Sequence, residues 1–144
     1  MKRIRLLVLL AALAVALPLG VLSAGVAGAQ PAFADVSLEP NAQYDIHGFI
    51  LHVEVRATCT GGAGAVVVDV TQSPPETPYP VAFGSGPNPV VCDGAAHETG
   101  VTIHGEGFDA GTALATATLT VVDPTTLETL ATDTAQRSIN IDVV

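Results

Sequence analysis

The sequence predicts an all-β fold: a small antiparallel β-sandwich of immunoglobulin-like architecture, with about seven short strands and one disulfide. Three observations predict it. Apolar and polar residues alternate with a period of two along much of residues 36–143, the mark of strands with one buried and one wet face. Clusters of glycine, proline, asparagine and aspartate interrupt that alternation and mark turns. The 144-residue chain also holds just two cysteines, Cys59 and Cys92. Beyond the N-terminal segment, no stretch shows a helical period.

The first element is a leader. Lys2, Arg3 and Arg5 form a positive start, and Leu6 to Leu17 form an apolar run ended by Pro18. Small-residue sites follow at Ala27-Gly28-Ala29 and Ala32-Phe33-Ala34. This is the layout of a secretory signal peptide: retained positive charge, a short apolar helix, then an extended segment that fits a peptidase. Residues 1–34 are expected to be that peptide, cleaved after Ala34 or alternatively after Ala29, with residues 35–144 forming one β-sandwich domain. An uncleaved anchor is the competing reading, since Leu6 to Leu22 approaches spanning length, but Pro18 and Gly20 break that run. With no second apolar segment and no sorting motif in "SINIDVV", the expected location is secreted, extracellular, without membrane insertion after cleavage.

Charge narrows the partners. Residues 35–144 keep Arg56 and Arg137 against all 14 acids, a formal charge of −12. Such a surface repels phosphate backbones, because nucleic-acid affinity comes chiefly from basic side chains releasing counterions. Anionic lipid is disfavoured for the same reason.

The strands follow in order. A weak one is expected near Val36 to Leu38. In "FILHVEVRATC", Phe49, Leu51, Val53, Val55, Ala57 and Cys59 share the inward face, leaving His52, Glu54 and Arg56 outward. "AVVVDV" places Val66, Val68 and Val70 together, and "SPPETPYP" at 73–80 is too proline-rich for an interior strand. Weak strands are expected at Val81 to Phe83, Val90 to Cys92 and Val101 to His104, with "FGSGPNP", "CDGA" and "GEGFDAG" read as turns. "TALATATLTVV" turns Ala113, Ala115, Ala117, Leu119 and Val121 inward, and "SINIDVV" does so with Ile139, Ile141 and Val143.

That core is thin. The chain has no tryptophan, and alanine buries little area at roughly 25 cal/mol per Å². A covalent tie would compensate. Two cysteines in an exported chain are most simply one disulfide, and closing this loop stabilises by roughly 3–4 kcal/mol on the chain-entropy model.

The stretch "VVCDGAAHETG" could instead be read as a metal or catalytic cluster. Asp93-Gly94 is a turn dipeptide, however, and His97 and Glu98 are strand neighbours that point to opposite faces. His47, His52, His97 and His104 form no zinc-type spacing. Ser85 in "FGSGP" lacks the first glycine of a nucleophile elbow. His52, Glu54 and Arg56 form a possible polar surface cluster, read as a solvated ladder. No catalytic residue, cofactor or metal site is expected.

On "HGFILHVEVRATCTGGAGAVVVDVTQ", "VVCDGAAHETGVTIHG" and "FDAGTALATATLTV", the chain resembles a family of small secreted actinobacterial proteins classed as a domain of unknown function. Cys59 and the run Cys92-Asp93-Gly94-x-x-His97 carry most of the resemblance, which implies export and a single disulfide. "VTIHGEGFDAGTA" is similar to the strand–turn phrase of bacterial immunoglobulin-like domains, including secreted enediyne-binding apoproteins. Those proteins carry two disulfides and an aromatic-lined cleft. The expected function is a secreted, non-catalytic interaction or structural module whose partner is an extracellular protein or cell-surface component. The alternative is a small-molecule carrier with a cleft near Phe83 and Phe108.

Overall fold

The computed structural model describes residues 30–78 and 81–144; residues 1–29, and with them most of the expected leader, lie outside the described residues. Seven strands and no helix make up the described chain: β1 (Phe33–Asp45), β2 (Ile50–Thr60), β3 (Ala63–Gln72), β4 (Ala82–Val90), β5 (Ala96–His104), β6 (Gly111–Val122) and β7 (Thr129–Val143). They close into a barrel in the order β1-β2-β5-β4-β3-β6-β7.

The all-β class and the single disulfide match the sequence reading, but the two open sheets of a sandwich do not appear as such. Two seams close the ladder. β1 and β7 pair in parallel over Asn41–Tyr44 and Asn140–Val143, and β4 meets β5 at the single pair Ser85↔His104. A period of two assigns each side chain a face; it is silent on whether the outermost strands find each other. Closure matters because an unpaired edge invites another chain to add to it.

Beyond each seam's ladder, side chains take over. Val36 N–H donates to Asp133 Oδ2 at 2.9 Å, and Arg137 Nη1 donates to the Leu38 carbonyl at 2.8 Å. Between β4 and β5, Asn88 Nδ2 donates to Thr99 Oγ1 and to the Gly100 carbonyl at 2.7 and 2.9 Å.

β4 itself corrects the reading of "FGSGPNP" as a turn between two weak strands. It runs unbroken and pairs with β3 over nine residues, from Gly64↔Val90 to Gln72↔Ala82. Pro87 and Pro89 share one parity, so their missing N–H groups fall on the same edge. With the β3 ladder intact, that edge is the one facing β5, where backbone pairing is nearly absent. The glycines have a packing reason. A Cβ on Gly86 would sit 2.1 Å from the Thr102 carbonyl oxygen, and one on Gly84 would sit 2.6 Å from Ile103. The backbones of β4 and β5 approach too closely for any side chain between them.

β1 is also longer than expected. It carries a bulge between Leu38 and Ala42, around Pro40, which has no N–H to donate. The bulge re-aims the strand so that its second half reaches β7.

The interior is aliphatic, as the composition implies. Val36, Leu38, Leu51, Val53, Val55, Val66, Val68, Val70, Val101, Ile103, Leu119, Ile139 and Ile141 are buried with the alanines of β6. Two positions read as inward are not. Val143 is partly exposed, and Phe49 lies in the turn before β2, 50% exposed.

The Cys59–Cys92 disulfide fastens one end of the barrel. Cys92 lies in the β4–β5 connection rather than in a strand, and Gly94 N–H donates to the Cys59 carbonyl at 2.9 Å. A Cβ on Gly64 would meet Cys92 Sγ at 2.5 Å and Cys59 Sγ at 3.0 Å, so the sulfurs pack directly on the β3 backbone. That end is tied.

Candidate functional site

His52, Glu54 and Arg56 are exposed along β2. His52 and Glu54 line a polar groove of about 330 Å³ with Asn41, Gln43 and Asp142. Arg56 stands apart from it, opposite Ser37 on β1 and Glu98 on β5. The strand thus separates the arginine from the other two.

At the disulfide, His97 Nε2 lies 2.8 Å from Asp93 Oδ1, which also accepts from the Ala95 N–H at 2.9 Å. Those contacts, the histidine's first, hold the Asp93 carboxyl below the usual carboxylate range. Asp123 is lowered in the same direction by the N–H groups of Thr126 and Thr125 in the β6–β7 hairpin. Asp93 is exposed and Asp123 partly so, and both shape turns. Among the described residues, no group of three or more His, Cys, Asp or Glu side chains is placed to hold a metal ion.

The opposite end of the barrel is built differently. There the β1–β2 turn (46–49), the β3–β4 connection and the β5–β6 loop (105–110) converge. Gln72 continues the inward parity of Val66, Val68 and Val70, yet it is polar and fully buried. Its side-chain amide clamps the β5–β6 loop from both sides. Nε2 donates to the Asp109 carbonyl and Oε1 accepts from the Asp109 N–H, each at 2.9 Å. An unmade buried hydrogen bond costs about 1–3 kcal/mol, so this two-point match strongly specifies the loop position.

Three more contacts finish the arrangement. Thr77, also buried, donates from Oγ1 to the Gly107 carbonyl at 2.6 Å. Tyr44 Oη donates to the Gly105 carbonyl at 3.3 Å, and Gly105 N–H donates to the Phe49 carbonyl at 3.2 Å. Each loop is tied to a strand or to its neighbour.

These ties leave a mainly apolar cleft of about 230 Å³ lined by Tyr44, Ile46, Phe49, Pro78, Gly107, Phe108 and Asp109. Phe108 is 5% exposed and meets Tyr44 edge-on, ring centroids 5.7 Å apart. Phe49 forms the open wall with φ of +52°. A bulky side chain rarely adopts that region, and holding it there costs on the order of 1–3 kcal/mol. The Asp45 side chain supports the turn, accepting from the His47 and Gly48 N–H groups at 2.9 and 3.2 Å.

The sequence reading places a carrier cleft beside Phe83 and Phe108, and the structure separates these two residues. Phe108 contributes the floor of the observed cleft; Phe83 is 58% exposed on the outer face of β4, and Phe49 takes the place expected for it. Gln72 and Thr77 were missed. A glutamine on an inward strand parity is a readable signal for the first, whereas nothing in "SPPETPYP" distinguishes Thr77.

Electrostatics complete the site. Asp45, Glu76, Glu106 and Asp109 sit in the converging segments, with Asp142 near the end of β7. The described residues hold two Lys or Arg side chains, Arg56 and Arg137, and both lie six residues along their strands from this end. Apart from His47 and His104, the charge-bearing side chains of these segments are acidic.

No protein-family model matches this chain, and no curated protein matches it.

Proposed function

We propose that the protein is a secreted, non-catalytic interaction module that engages an extracellular protein or cell-surface component through its loop end. One observation carries the reading. The Gln72 clamp, with Thr77 and Tyr44, fixes the loops so that a half-exposed phenylalanine walls an open apolar cleft. Fixing contact residues before binding lowers the entropy cost of association. A closed β-ladder with one disulfide supports the extracellular setting, since such bonds persist in oxidising compartments. The immunoglobulin-like description and the kinship with the secreted actinobacterial family belong to this same proposal. The first rests on the two sparse seams, which divide the barrel into a β1-β2-β5 group and a β4-β3-β6-β7 group.

The carrier reading is weaker. Pockets for drug-sized ligands run from about 300 to 1,000 Å³ and are mostly apolar. The apolar cleft is about 230 Å³, and the larger groove, at about 330 Å³, is lined by polar side chains.

A photo-crosslinking side chain at Phe49, compared with one at Leu127 in the far hairpin, tests the proposal on protein exported by a secreting bacterium. A discrete adduct from position 49 and none from 127 is expected. Adducts from position 127 alone, or from neither, contradict it.

For an exported chain, the contacts of residues 31–34 favour cleavage after Ala29. Thr60 Oγ1, on a buried side chain, donates to the Pro31 carbonyl at 2.8 Å. Phe33 and Ala34 pair with Thr60 and Cys59, and Ala34 packs on the core. Cleavage after Ala34 would strip these contacts beside the disulfide; cleavage after Ala29 keeps them. Intact mass of the exported protein is expected to give Gln30 as its first residue, and a start at Asp35 would contradict this.

A further inference from the structure

We infer that the occupant of the loop-end cleft is a basic, apolar segment of a partner polypeptide, an aromatic or aliphatic side chain entering between Phe49, Tyr44 and Phe108 while flanking Lys or Arg residues meet the acidic rim. This rests on the interaction-module reading and names the chemistry of the partner.

Size comes first. An apolar cavity of about 150 Å³ suffices for benzene, so about 230 Å³ takes one large side chain and excludes a drug-sized molecule. The lining selects an apolar group: Tyr44, Ile46, Phe49, Pro78 and Phe108 face the space. A ring entering there would have aromatic side chains on its walls, and aromatic pairs attract at about 4.5–7 Å between centroids.

Charge then selects the flanks. Asp109 lines the cleft itself, Asp45, Glu76 and Glu106 lie in the segments that converge on this end together with His47 and His104, and no Lys or Arg of the described residues lies there. A nucleic acid or an acidic peptide would place like charge against that rim. A basic segment would complement it and could also lay a cation on the exposed face of Phe49. Because the rim is solvated, its charges contribute mainly to approach rate and selectivity, with an attraction that salt screens. The apolar side chain supplies the rest.

Three pentapeptides serve as probes: one phenylalanine flanked by two lysines on each side, and the same peptide with serines or with glutamates as flanks. Titration into isotopically labelled protein, followed by amide NMR, reports both the site and the affinity. The lysine peptide is expected to shift residues 44–49 and 105–110 and to bind about ten-fold more tightly than the serine peptide, the glutamate peptide more weakly still. Phe49→Ser should reduce lysine-peptide affinity about ten-fold, as for an interface anchor. Because Phe49 occupies a positive-φ turn position whose substitution can shift the turn, Glu106→Lys provides a second variant at an exposed position; it should narrow the preference for lysine over glutamate flanks.

Equal binding of all three peptides at the loop end would overturn the basic-partner inference and leave the module reading standing. Shifts confined to other surfaces would overturn both. No shift from any peptide at millimolar concentration would overturn the inference, with the crosslink at position 49 still deciding the module reading.

Discussion

Replacing Cys59 and Cys92 together by alanine is expected to lower the unfolding free energy by about 3–4 kcal/mol and the midpoint of thermal unfolding by on the order of 10–20 °C. The cross-link spans 33 residues, so its removal frees a long loop of the unfolded chain. The folded state loses too. Cys59 is fully buried, and both sulfurs fill the space against Gly64. A domain of this size has only about 5–15 kcal/mol of net stability, and an interior of valine and alanine offers little surplus. Urea unfolding of the oxidised protein and the variant measures the difference. The slope with denaturant should also rise in the variant, since an unlinked chain exposes more surface on unfolding. A loss below about 1 kcal/mol would show that the aliphatic interior holds the barrel without the bond.

Gln72→Leu is expected to destabilise the protein by about 1–3 kcal/mol, although leucine continues the apolar pattern of β3. The substitution deletes both hydrogen bonds to Asp109. The Asp109 N–H and carbonyl then lose their partner in a part-buried setting, where each hydrogen bond contributes about 0.5–1.5 kcal/mol. Sequence pattern alone would favour leucine there; the structure reverses that preference. The disulfide, at the far end of the barrel, should be untouched, and the cost should appear as loosening of residues 105–110 and of the Phe49 turn that Gly105 anchors. A neutral or stabilising effect would mean that the glutamine fills volume and does not hold the loop.

The two substitutions separate what the sequence reveals from what it conceals. Strand parity in β2, β3 and β6 is plain because those strands bury one face against a continuous core and leave the other wet. The pairing of Cys59 with Cys92 follows from there being no other partner. β4 is hard to read because Gly84, Gly86, Pro87 and Pro89 have turn chemistry, while their reason for being there is long-range, in the close passage of β5. Barrel closure depends on the Pro40 bulge and on the side-chain bridges of Asp133 and Arg137, contacts between residues about 100 positions apart.

The candidate site was legible in fragments. Phe108 and the turn around it stand out in "GEGFDAG", and the acidity is apparent from composition. Phe49 keeps the parity of Leu51 and Val53, which predicts an inward side chain, but the strand begins one residue later and the turn carries it outward. The polar cluster on β2 was legible as an exposed row; its division between a groove containing His52 and Glu54 and a separate Arg56 depends on the neighbours β1, β5 and β7.

Native-state hydrogen exchange at the Asp109 amide tests most directly whether the loop end is built before any partner arrives. That amide is expected to exchange as slowly as the core amides of β6, orders of magnitude below a free loop amide, and to lose this protection in Gln72→Leu while β6 keeps its own. Exchange at the rate of an unstructured loop in the unsubstituted protein would contradict a preformed cleft, and with it the binding role proposed for that end.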